Sequence, residues 1–169
     1  TLQSVAHASL TGARGNSGMI FSQFFNALAE AVSEEDHVSP HRFSELLHHA
    51  ATRVRGAILN PIDGTMLTIL EHWSIYMKEH ATQLSCFKTI LQKITHQLQE
   101  VVAQTTQTIA VLKKANVVDA GAFGFFHFVH GFSHFIANPT PLSLDTLTQA
   151  VPELPLEAHL EGHTPPDQG

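Results

Sequence analysis

The sequence predicts an all-α fold, and three observations carry that expectation. Apolar residues recur at intervals of three and four along most segments, no segment alternates with period two for long enough to make a strand, and the connectors are short or polar. Amphipathic helices joined this way form an antiparallel bundle around one core. At 169 residues, 43% hydrophobic and only 14% charged, the chain suits a single domain that can fill such a core, and no internal repeat of fixed length is visible.

Each helix has its own signal. "TLQSVAHASLTG" reads as the last turns of a helix and starts with neither Met nor a cap, so the chain is expected to lack what precedes it. "GARGNSG" then sets glycines at 12, 15 and 18 and opens onto a helix whose Phe21, Phe24, Phe25, Leu28 and Val32 fall in a stripe about 100° wide. "SEEDHVSP" breaks it, and Ser39 as N-cap with Pro40 at the first helical position starts the next, with Phe43, Leu46, Leu47, Ala50, Val54 and Ile58 on one face. "NPIDG" is a turn cluster, after which Thr65 enters a helix presenting Met66, Ile69, Leu70, Trp73, Tyr76 and Met77.

From Ser85, the apolar positions Phe87, Ile90, Leu91, Ile94, Leu98, Val101 and Val102 repeat at helical spacing, and the pattern runs on through Thr105 and Ile109 to Leu112 with a break among the threonines. "KKANVVDAGAFG" interrupts it. The next helix carries Phe125, Phe128, Phe132 and Phe135 as its core face and His127, His130 and His134 roughly 150° away. Beyond "NPTP" come a short helix, Leu144 to Val151, and a tail rich in Pro, His and Glu. Residues 1–137 are therefore expected to form one domain and 138–169 a short helix with a disordered tail or linker.

Composition excludes several function classes. A net charge of -6 with nine scattered Lys and Arg argues against a nucleic-acid surface. The single Cys86 rules out a disulfide framework, fits a reducing compartment and makes a cytoplasmic protein the default. The most apolar run, 120–137, is broken by three histidines and is no membrane span, and no signal peptide opens the chain. Neither G-x-S-x-G nor a Walker-type loop is present. His127, His130 and His134 have no carboxylate or cysteine at ligand spacing, so they read as a polar, pH-sensitive surface rather than a metal site. No catalytic residue and no metal ligand is assigned.

What remains is a recurrence. Three loops place glycine and a polar residue at a helix start. In the first, free amides and Asn16-Ser17 make an anion site, with Arg14 favouring phosphate, or the glycines simply allow close helix packing. In the second, Asp63 or Thr65 caps a helix; in the third, Asp119 does. Helix starts converging on one end of a bundle would make a polar pocket.

In order and separation, "GARGNSGMIFSQFF", "NPIDGTMLTIL" and "IAVLKKANVVDAGAFG" resemble the nucleotide-binding domain of the dihydroxyacetone kinase L-subunit family. The nearest likeness is to its fatty acid kinase A branch, which reads GARGNSG, P-V-E-G-T and V-L-K-x-x-G-V-V-D-[SA]-G-G. The resemblance spans most of residues 1–137 and implies an antiparallel barrel of eight helices, of which this chain lacks the first, with ATP or ADP held at one end by the loops. It places Gly15, Asn16, Ser17 and Gly18 at the phosphates, Thr65 and Met66 on the adenine side, and Asp119 with Gly121 near the ribose and phosphates.

The family holds Mg2+ with three aspartates in an Asp-x-x-x-x-Asp-x-Asp loop upstream of the glycine motif. The five aspartates here, at 36, 63, 119, 145 and 167, are isolated, so the magnesium ligands are expected upstream of this chain, which alone should not turn over. The implied partner is a subunit or domain presenting the phosphoryl acceptor, either DegV-like and lipid-binding or dihydroxyacetone-binding; a homodimer is compatible with the sequence. Two departures stand out. Ala122-Phe123 after Gly121 is expected to add bulk and narrow the pocket, and Asp63 replaces a glutamate. The alternative reading is a non-catalytic interaction or regulatory module with a degenerate nucleotide pocket.

Overall fold

The computed structural model describes residues 1–32, 37–81 and 86–139. Among these lie seven helices and no strand: α1 (Leu2–Gly12), α2 (Gly15–Ala31), α3 (Pro40–Ala57), α4 (Met66–His80), α5 (Phe87–Thr108), α6 (Ala110–Ala115) and α7 (Ala120–Ala137). Residues 33–36 of the "SEEDHVSP" break, the Ser85 start of the fourth pattern, the short helix Leu144 to Val151 and the tail lie outside the described residues.

Local chemistry sets most boundaries. The Ser39 side chain accepts from the Arg42 amide at 3.1 Å and Pro40 occupies the first helical turn, as the sequence requires. Asp119 caps α7 in the same way, with Oδ1 accepting from the Ala122 amide at 2.7 Å. α5 ends at Thr108, and the extended backbone of Ile109 separates it from the six-residue α6. α6 stops at Asn116, whose φ of 55° lies in the left-handed region; its amide and that of Val117 bond back to Leu112. Asparagine is the residue that best tolerates this conformation after glycine.

Consecutive helices pack on one another from α1 to α5, and α7 returns onto α4 and α5. Because the chain reverses at each turn, the α1–α2, α3–α4 and α5–α7 connections fall at the same end of the bundle. α4 is the central element: Met66, Leu67, Ile69, Leu70, Trp73, Tyr76 and Met77 are all buried, more than one stripe of a helix. Around Trp73 gathers an aromatic core. Phe24 of α2 meets Phe125 of α7 edge to face at 5.5 Å, and Phe43 of α3 stacks on Phe132 at 5.6 Å. Truncating a fully buried member such as Phe125 to Ala should cost about 3–5 kcal/mol.

α7 corrects the expected Phe face. Phe135 is half exposed, whereas Phe126 and Val129 are fully buried along with Ala122, Phe125 and Ser133. The centre of the buried arc is turned roughly 100° from the Phe stripe toward the histidines, because the helix is covered by α4 and α5 together. The histidines are accordingly not a solvated surface. All three are half-buried, and Nε2 of His127 and Nδ1 of His134 are enclosed without a hydrogen-bond partner among the described residues.

Candidate functional site

At the end where the three connections meet lies a cleft of about 620 Å³. That is ample for a nucleotide-sized ligand. Asn16 and Ser17 come from the start of α2, Asn60, Ile62, Thr65 and Met66 from the α3–α4 loop and the start of α4, and Asp119, Ala120 and Gly121 from the start of α7. Six of the eight residues expected at the site, Asn16, Ser17, Thr65, Met66, Asp119 and Gly121, line this one cleft.

Gly15 and Gly18 do not line it. Gly15 has a φ of +65°, which lets the chain turn directly from the short connector into α2. A Cβ on Gly18 would stand 3.3 Å from the Ala13 backbone, so that glycine serves the close approach of the connector. The close-packing reading of the glycine loop thus holds at Gly18. Arg14 turns away from the cleft and donates to the carbonyls of Ala13 and Thr11, at 2.8 and 3.3 Å, at the end of α1.

Gly121 is the junction of the three loops. A Cβ there would lie 2.8 Å from Oγ of Ser17, 3.1 Å from Oδ1 of Asp119 and 3.5 Å from Cβ of Met66. No side chain fits without displacing the Ser17 hydroxyl. The expected narrowing by the next two residues does not occur: Ala122 is fully buried in the core and Phe123 packs edge-on against His127, neither in the cleft wall.

The electrostatics favour an anion. Neither α2 nor α4 has a side-chain cap, so their first amides are free, and these helix starts carry partial positive charge. Thr65 stands at the N-cap position of α4 but donates its hydroxyl to the Ile62 carbonyl at 2.8 Å, and Asp63 caps nothing; it faces Arg55 at 3.8 Å, which in turn holds Glu71 at 2.7 Å. The side chains of Asn16, Ser17 and Asn60 make no hydrogen bond among the described residues, which leaves them available to a ligand. Among the described residues Asp119 is the only carboxylate in the lining, and one of its oxygens is engaged as a cap.

The remaining lining is largely apolar, made by Met19, Ile20, Val54, Ala57, Ile58, Leu59, Ile62 and Leu67. Leu59 is 93% exposed, Ile62 60% and Met19 59%, so the rim presents uncovered hydrocarbon beside polar groups. The expected pocket was polar; the observed lining mixes polar and apolar groups. Sequence reasoning did not find the apolar part, since Leu59 and Ile62 lie in a loop where no periodicity reveals a face.

Fold and cleft together define an all-α domain whose helix starts converge on one cleft of mixed polar and apolar lining. The DAK2 domain profile matches residues 1–134, and the chain belongs to the DAK2 domain family. DAK2 domains are nucleotide-binding domains of kinase systems and work with partner subunits. An uncharacterized protein of Staphylococcus epidermidis is 30% identical over 123 residues, covering 73% of this chain and 22% of its own length. One from Mycoplasma pneumoniae is 29% identical over 142 residues, 81% of this chain and 25% of its own. One from Staphylococcus aureus is 29% identical over 123 residues, 73% of this chain and 22% of its own. The chain thus spans a quarter or less of the length of these relatives. No helix among the described residues is long and apolar enough to cross a membrane, and no three of their His, Cys, Asp and Glu side chains gather where they could hold a metal ion.

Proposed function

We propose that the cleft binds an adenine nucleotide, ATP or ADP, as the nucleotide-binding part of a kinase whose phosphoryl acceptor arrives on a partner protein or domain. The observation that carries this reading is that three separate loops, each a helix start, line one cleft. The free amides and unbonded side chains of Asn16 and Ser17 take the phosphates, with Gly15 and Gly18 shaping that backbone. Met66 and Thr65, beside the apolar wall, take the purine, and Asp119 with Gly121 closes the site near the ribose and phosphates. Fatty acid carried by a DegV-like partner is the favoured acceptor, since the motifs lie nearest that branch; dihydroxyacetone is the other.

The described residues do not fit a magnesium site, because Asp119 stands alone in the cleft and already caps α7. No transfer step is assigned to this chain, and turnover requires carboxylates from elsewhere in the protein. The second reading is a regulatory module that keeps the fold and binds nucleotide without transfer. Calorimetric titration with ADP tests the binding. Heat that Ser17→Ala diminishes at least tenfold in affinity supports it, and no heat at millimolar ADP refutes it. Magnesium-dependent ATP consumption with an acyl or keto-sugar acceptor and its partner then separates kinase from module.

A further inference from the structure

We propose that Thr105, outside the cleft and on α5, is the positioning residue that holds the start of α7 in its ligand-ready place; this rests on the reading of the cleft as a nucleotide site. Thr105 is buried at 1% exposure. Its hydroxyl donates to the Val102 carbonyl at 2.7 Å, and the same oxygen accepts from the Asp119 amide at 3.0 Å. Donor and acceptor are both used, so the hydroxyl is oriented by its own helix and then fixes the backbone of Asp119. Asp119 in turn caps α7 through Oδ1, and two residues further on Gly121 approaches Ser17 with no room to spare. Any drift of the Asp119 backbone therefore changes the gap between the first and third loops.

One helical turn on, Thr108 backs the second loop. A Cβ on Gly64 would stand 2.7 Å from Cβ of Thr108, and Gly64 has a φ of +81°, so the turn that delivers Thr65 and Met66 rests on the end of α5. The threonines that end this helix are thus the common backing of two cleft loops. Thr105 is the member whose role is a hydrogen bond rather than bulk.

That distinction sets the test. Thr105→Val keeps the volume and loses the hydroxyl, whereas Thr105→Ser keeps the hydroxyl and loses a methyl group. A positioning hydrogen bond predicts that ADP affinity of the full chain falls about tenfold in Thr105→Val and stays within about threefold in Thr105→Ser. A packing role predicts the reverse order, and that order, or two unchanged affinities beside a binding wild type, overturns the inference alone. A wild type that binds no ADP overturns the nucleotide reading and this inference with it. Should Thr105→Val fail to fold, amide exchange in the wild type decides: protection of the Asp119 amide comparable to the interior of α5 supports the bond, and exchange as fast as an exposed loop amide contradicts it.

Discussion

Gly121 concentrates the account in a single position. Gly121→Ala must displace the Ser17 hydroxyl and crowd the cap oxygen of Asp119, both ends of side chains able to yield. ADP affinity should therefore fall by about tenfold or more while the stability cost stays near 1 kcal/mol, measured by titration and by denaturant unfolding. Asp119, Ser17 and Gly121 were expected at the cleft through the resemblance of three ordered motifs, since each loop alone is only a glycine near a cap-former at a helix start. Thr105 was not: its partner is fourteen residues away across a chain reversal, and in a helix pattern a threonine only looks like a weak spot. The histidines of α7 were legible as a group but misread as solvated. Burial, then the neighbouring His130, holds His127 below the usual imidazole range, and burial, then His134, does the same for His130. A lowered folded value means the unfolded state binds protons first, so this stability is present above about pH 6.5 and is lost as pH falls through the lowered values. Thermal midpoints between pH 7.5 and 5 should drop less in His127→Gln/His130→Gln than in the wild type; an identical drop would contradict the assignment.

The helices divide by how their ends are made. α3 is written in the sequence from Ser39-Pro40 onward, and Ser39→Ala should cost about 1 kcal/mol in denaturant unfolding by freeing the Arg42 amide. The end of α6 is subtler, since Asn116 stands where the branch motif has glycine. Its left-handed backbone predicts that Asn116→Gly is close to neutral and Asn116→Val destabilises by about 1–2 kcal/mol; equal effects would mean the turn relaxes. The rotation of α7 could not be read from its wheel, because nearly every position is apolar or aromatic and the face is decided by neighbours distant in sequence. α4 is the opposite case: its apolar positions were read correctly, and its central place follows from helices packing on more than one of its sides.

For the molecule as a whole, alternating chain direction is what turns three local motifs into one site. An up-and-down bundle sends every second connection to the same end, and the glycine loop, "NPIDGT" and "NVVDAG" occupy those connections. This much was legible before any coordinates. The apolar wall with Leu59 and Ile62 was not, because loop residues acquire a common face only when the helices that carry them are packed. Whether the three loops bind one nucleotide together is read from amide chemical-shift mapping during ADP titration. Joint binding predicts that the amides of Ser17, Thr65 and Gly121 shift along a single saturating curve with one shared affinity. Shifts confined to one loop, or none at millimolar ADP, would contradict it.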